Sequence, residues 1–238
     1  MELPLNDPIG QAILDYAKTG RSEDIIVKSD LCDDDVIPSA YLFRSYDEMP
    51  RIEKVALSKC KGKIIDIGAG AGPHASYLIK KGHSVKCIDI SPGSIEYLAS
   101  LGIDAERTNL IGVDEKKYDT ILMLMNGIGI SGTLSNLEST LIATKAILNK
   151  NGKIICDSCD IKYLYEDEEG GMWVDLNTEY YGNFKFQMHY GKHTSEWFNW
   201  LYVDYDNLTT IAEKAGFSIT KLAEQENQYL VELKLNHL

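Results

Sequence analysis

No run in this sequence reaches the roughly 18 consecutive apolar residues that a membrane-spanning helix needs. The first 20 residues lack the basic start and apolar stretch of a secretory leader. Positive charge is scarce: 24 Lys and Arg stand against 36 Asp and Glu, for a formal net charge of −12. Without a dense cationic cluster, a broad surface for a nucleic-acid backbone is not expected. Cysteine is sparse and odd in number, five in 238 residues, so a disulfide framework is not expected either. The Cys156-x-x-Cys159 pair lies in a predicted strand, where residues three apart face opposite sides. It has no second ligand pair and opens no helix, so neither a metal site nor redox chemistry is expected of it. These absences predict a cytoplasmic protein with reduced thiols, a monomer or homodimer with no membrane or nucleic-acid partner. At 44% hydrophobic and 25% charged residues, the chain can bury a sizeable core.

The sequence opens with a helix. Asp7 is its cap, Pro8 its first residue and Gly20 its stop, with Ile9, Ala12, Ile13, Tyr16 and Ala17 on one face. An acidic stretch that includes Asp33, Asp34 and Asp35 reads as irregular. A second helix carries Ile52, Val55, Ala56 and Cys60. From Lys63 the chain alternates β-branched strands with helices, the signature of a parallel sheet covered on both faces. After Asp160 the rhythm breaks. "FKFQMHY" and "SEWFNWLYV" alternate like two strands joined at Gly191-Lys192, a β-hairpin insertion. A helix ending at Gly216 and two strands, "FSITKLAE" and "QYLVELKL", close the chain as an antiparallel edge pair. The expected fold is a doubly wound, mostly parallel seven-stranded sheet with an antiparallel edge strand. Residues 1–61 would form an N-terminal helical cap, and residues 62–238 a Rossmann-like domain with the insertion at about 161–203.

The most informative stretch is "IIDIGAGAGP", residues 64–73. Gly68, Gly70 and Gly72 follow a strand and open a helix, a loop whose bare backbone can approach a ligand. Asp89 ends the next strand, where an acid can take both hydroxyls of a ribose. A nicotinamide fingerprint has its third glycine one position later, where this chain has Pro73. No G-K-[ST] follows to make a nucleotide phosphate loop. Asp66, just before the glycines, would repel a pyrophosphate and attract an ammonium or sulfonium.

With "DIGAGAG" (66–72), "CIDIS" (87–91), Thr108-Asn109-Leu110 and "YDTILMLMNGIG" (118–129), the sequence resembles the class I S-adenosylmethionine-dependent methyltransferases. The resemblance spans residues 60–160 and the closing helix and strands. It implies S-adenosylmethionine as cofactor and S-adenosylhomocysteine as product. Asp66, Gly68, Ala69 and Gly70 would hold the methionine end, and Asp89 the ribose, with Ile90 on the adenine. Asn109, where the family often has Asp, and Leu110 would lie at the adenine edge. Met125 and Asn126 would face the methyl group.

No catalytic motif is obligatory for such a transfer. His74, Asn126 and His189 are the candidates, although a first-turn histidine such as His74 ordinarily faces solvent. Family members that methylate exocyclic base nitrogens carry prolines and an aromatic after the fourth strand, whereas here Gly127-Ile128-Gly129 follow Asn126. A small-molecule substrate accepting methyl on N, O or S is therefore expected, bound near Tyr41, Arg44, Trp173 and Trp197. The competing readings are a non-catalytic S-adenosylmethionine-binding protein, and a methyltransferase for RNA or a protein side chain.

Overall fold

Consecutive residues of a strand point to opposite faces, and in this protein both faces of the main sheet are buried. Ile64 belongs to one core cluster and its neighbour Ile65 to the other. The structure is a computed structural model that describes residues 6–113, 117–165 and 180–236. Seven strands build the main sheet: β3 (Lys63–Ile67), β4 (Ser84–Asp89), β5 (Ala105–Arg107), β6 (Tyr118–Met123), β7 (Leu148–Cys159), β11 (Phe217–Gln225) and β12 (Gln228–Leu235). Their order is β11-β12-β7-β6-β3-β4-β5. Pairs β3–β4, β3–β6, β4–β5 and β6–β7 are parallel. The two final strands form the expected antiparallel pair at the edge. β12 is the strand that runs against the rest, and it sits one place in, between β7 and β11.

Helices α2 (Arg51–Lys59), α3 (Pro73–Lys80) and α4 (Pro92–Ser100) pack Ile52, Leu78 and Leu98 on one face of the sheet. Helices α5 (Leu134–Ile147) and α6 (Tyr205–Lys214) pack Leu137, Leu141, Leu208 and Ala212 on the other. The chain leaves β3 toward the first layer and β6 toward the second. The crevice at the carboxyl ends of these adjacent strands is thus the switch point where a doubly wound sheet binds its ligand.

The remaining strands form a smaller antiparallel sheet, β10-β8-β1-β2 with β9 beside β8. Here β8 (Asn183–Tyr190), β9 (His193–Thr194) and β10 (Phe198–Leu201) come from the insertion, and the turn falls at Gly191-Lys192. β1 (Ile25–Ser29) and β2 (Asp35–Ile37) come from the N-terminal segment. The acidic stretch read as irregular therefore contains a strand, β2. Its burial pattern is nearly all exposed, so it carries no inward alternation to betray it. Helix α1 (Pro8–Thr19) has its Asp7 cap, Pro8 start and left-handed Gly20 stop. It packs Ala12 and Ile13 against Ile25, Val27 and Tyr190 of this sheet and Ala71 of the glycine loop. No helix among the described residues is long and apolar enough to cross a membrane.

Candidate functional site

Three neighbouring regions of the main sheet deliver carboxylates to its carboxyl edge: Asp66 on β3, Asp89 on β4 and Asp157 on β7. Asp66 is 2% exposed, and its Oδ2 accepts no hydrogen bond from the described residues. Burial pushes its pKa up to about 6, against the pull of His74 and with a small push from Asp89. A fully buried carboxylate with an unmet oxygen is costly, and a cationic partner would relieve that cost.

The loop that follows is held by its own backbone. Gly68 and Ala69 donate their N–H groups to the Ile88 carbonyl at 2.9 and 3.3 Å, and Gly72 donates to Ala69. Gly70 donates to Asp89 Oδ2 at 2.8 Å. Four of the loop's backbone donors are therefore already spent inside the protein. Gly68 and Gly70 sit at φ +75° and +56°, and a Cβ on either would meet nothing within 4 Å. Open space thus faces bare backbone beside Asp66. A Gly70→Ala variant is expected to lose roughly 1 kcal/mol through left-handed strain alone, readable as a small drop in Tm. It should lose more in cofactor affinity, because the methyl group enters that open space. Asp89 also accepts from Ser91 N at 2.8 Å. These backbone bonds leave the carboxylate acceptor capacity that a ribose hydroxyl can use.

A methyltransferase-domain family model matches residues 41–222. The chain belongs to that family. It is similar over 98% of its length, at 38% identity and a TM-score of 0.91, to 96% of a Bacteroides fragilis S-adenosylmethionine-dependent methyltransferase solved with S-adenosylhomocysteine. More distant structures share the fold. One is an S-adenosylmethionine-dependent methyltransferase from Clostridium acetobutylicum (13% identity, 80% and 94% of the two chains, TM-score 0.57). Another is a sugar N-methyltransferase from Streptoalloteichus (12%, 78% and 85%, TM-score 0.55). No curated protein matches the sequence. The protein is an S-adenosylmethionine-dependent methyltransferase, and the unmet Asp66 oxygen beside a bare glycine loop fits that cofactor's ammonium end.

In this methyltransferase His74 does not face solvent: it is 5% exposed. Its Nε2 lies 2.8 Å from Glu53 Oε2. Glu53, on α2, also accepts from Arg44 Nη2 with both oxygens at 2.7 Å. Arg44 lies over the Tyr41 ring at 4.2 Å and donates to the Tyr41 carbonyl. Burial alone would push the Glu53 carboxyl up, but the His74 and Arg44 bonds outweigh it and hold the pKa below its ordinary value. This buried Arg44–Glu53–His74 chain ties the N-terminal segment to the helix that starts at the glycine loop. The sequence reading had Arg44 and His74 but missed Glu53. The available signal was an acid next to Ile52 in a helix whose apolar face needed covering.

Asn109 caps the turn at 110–112, its Oδ1 accepting from Ile111 N and Gly112 N, and Leu110 is buried beside it. Ile90 offers its carbonyl to Arg107 Nε at 3.3 Å. Met125 and Asn126 both adopt left-handed backbone, φ +63° and +55°. Met125 is partly exposed, whereas the Asn126 amide is turned inward, donating to the Leu201 carbonyl and accepting from Ser158 Oγ. On β8, His189 has both ring nitrogens partnered, by Gln187 and Thr194. It points away from the face of Tyr190 that packs on α1. Trp197 is 48% exposed, while Trp200 closes against Gly129 of the loop after β6, where a Cβ would strike its indole. Trp173 lies outside the described residues.

Proposed function

We propose that this methyltransferase transfers a methyl group to an N, O or S atom of a small molecule by in-line displacement. What supports the small-molecule reading is charge and packing. The smaller sheet and α1 pack on Ala71 at one end of the site, and Trp200 of β10 packs on Gly129 at the other. A net charge of −12 disfavours a nucleic-acid substrate. The same fold also serves a sugar N-methyltransferase.

The cofactor supplies its methyl on a sulfonium, an electrophile that needs no activation by the protein. Asp66 and the Gly68–Gly70 backbone hold its methionine end, and Asp89 binds the ribose hydroxyls. Ile90, Asn109 and Leu110 border the adenine, and the 125–126 turn faces the methyl. Tyr41 and Trp197 are the residues we assign to the substrate side, with Arg44, committed to Glu53, backing the Tyr41 ring. The chain's contribution is alignment and exclusion of water. A base is needed only for an acceptor that arrives protonated.

Incubation with S-adenosylmethionine and a panel of small metabolites, RNA and proteins, with S-adenosylhomocysteine release as the signal, tests the reading. Release with a small molecule and none with RNA or protein is expected. Release only with a macromolecule overturns it.

The Asp66 assignment predicts a pH dependence. Its carboxyl is pushed up to about 6 in the free protein, so below that pH the cofactor's ammonium must displace a proton. Affinity for S-adenosylhomocysteine should rise with pH by up to about tenfold per unit below 6 and level off above it. Calorimetry between pH 5 and 7.5 reads this directly, and a flat profile would remove Asp66 from the ammonium site.

A further inference from the structure

Two consecutive non-glycine residues in left-handed backbone, Met125 and Asn126, form a strained turn at the carboxyl end of β6. Such strain persists only where the surroundings over-determine it. The Asn126 amide is held by Leu201 and Ser158, and one further side chain restrains the backbone of the turn. Asp157, 1% exposed on β7, accepts from Asn126 N at 3.1 Å and more weakly from Gly127 N at 3.5 Å. Its Oδ2 also accepts from Gln228 Nε2, at 2.7 Å, at the start of β12. Among the described residues every partner of this carboxylate is a neutral donor. Burial pushes its pKa up and these three bonds pull it back. A buried, uncompensated carboxylate is a poor way to stabilise a fold. Its partners instead make it a clamp on the turn after β6.

We propose that Asp157 is a positioning residue for methyl transfer, fixing the Met125–Asn126 turn against the reacting methyl group through the backbone N–H groups of Asn126 and Gly127. Gln228 extends the clamp outward. It also lines a pocket of about 260 Å³ with Cys159, Tyr163 and Asn227, so a group bound there touches the side chain that holds Asp157. The proposal rests on the reading that the 125–126 turn faces the methyl group.

The readout is the ratio of affinities for S-adenosylmethionine and S-adenosylhomocysteine, which differ by that methyl and its sulfonium charge, with adenosine affinity as a control for the ribose end. Asp157→Asn, which removes the charge but keeps an acceptor, is the control for charge. In Asp157→Ala the buried N–H groups lose their acceptor. The preference for S-adenosylmethionine should fall by about fivefold, the equivalent of one unmade hydrogen bond, while adenosine binding stays unchanged. Asp157→Asn keeps an acceptor at the Oδ2 position and is expected to shift the ratio by only about twofold. It serves as the folded comparison if the alanine variant does not fold. A purely structural Asp157 would weaken all three ligands together, or lower Tm alone, and leave the ratio fixed in both variants. That result overturns the proposal. Met125→Ala separates the two possible failures. If it shifts the ratio and the Asp157 variants do not, the clamp is wrong and the turn is right. If none of them shifts it, the turn does not face the methyl group.

Discussion

The Asp89→Ala variant is expected to bind S-adenosylhomocysteine about a hundredfold more weakly than the wild type, through loss of two charge-assisted hydrogen bonds to the ribose worth roughly 1.5 kcal/mol each. Asp89→Asn, which keeps one acceptor, should lose about tenfold. The loss should appear mainly in affinity, with a smaller drop in Tm because the N–H groups of Gly70 and Ser91 lose their acceptor. Burial pushes the Asp89 carboxyl up, more than its bonds from Ser91 and Gly70 pull it down, so removing the charge also removes a desolvation cost. Unchanged affinity in Asp89→Ala would take the ribose away from β4 altogether.

The largest effect on stability belongs to Glu53→Ala. It leaves the Arg44 guanidinium buried with no counter-charge and takes away the partner of His74 Nε2, which costs about 3–5 kcal/mol, or a drop in Tm on the order of 10 °C for a chain of this size. Arg44→Met with Glu53→Leu should recover part of it, because an ion pair replaced by apolar groups is often neutral, while buried His74 still lacks its partner. The pH dependence has a definite sign. Glu53 is held below its ordinary pKa, so its stabilisation is present above the unfolded carboxylate value and disappears as pH falls through the folded one. Asp66 acts oppositely. Its folded pKa of about 6 exceeds the unfolded value, so stability rises as pH drops from above 6 toward the ordinary carboxylate range. Thermal melts from pH 3 to 8 on the wild type and Glu53→Ala separate the two. The variant should lose stability less steeply at the acid end, and equal slopes would contradict the role given to Glu53.

The parallel sheet was legible because its elements agree with one another. Strands such as "KIIDI" are apolar on both faces, and Gly20, Gly102 and Gly216 stop their helices with left-handed backbone. The smaller sheet was half legible: "FKFQMHY" alternates clearly, but β2 is too exposed to show a pattern and pairs with β1, which itself pairs with β8 from 160 residues downstream. No local signal reports so distant a partner. Asp66 and Asp89 were singled out by their position at strand ends, where the structure places them. The same logic applies to Asp157, an acid closing "KIIC", which the sequence reading passed over because no glycine loop follows it. His74 was misjudged as solvent-facing because its partner Glu53 lies on another helix. Asn126 could be placed on the right loop, but which way its amide turned depended on Ser158 and Leu201, far along the chain.

The central claim is that Asp66, the bare glycine loop and Asp89 seat an ammonium and a ribose, with four of the loop's backbone donors already spent inside the protein. Calorimetric titration of the wild-type protein with S-adenosylhomocysteine and, separately, with NAD tests this most directly. The account predicts saturable binding of S-adenosylhomocysteine and no heat from NAD. Binding of NAD without S-adenosylhomocysteine would contradict it.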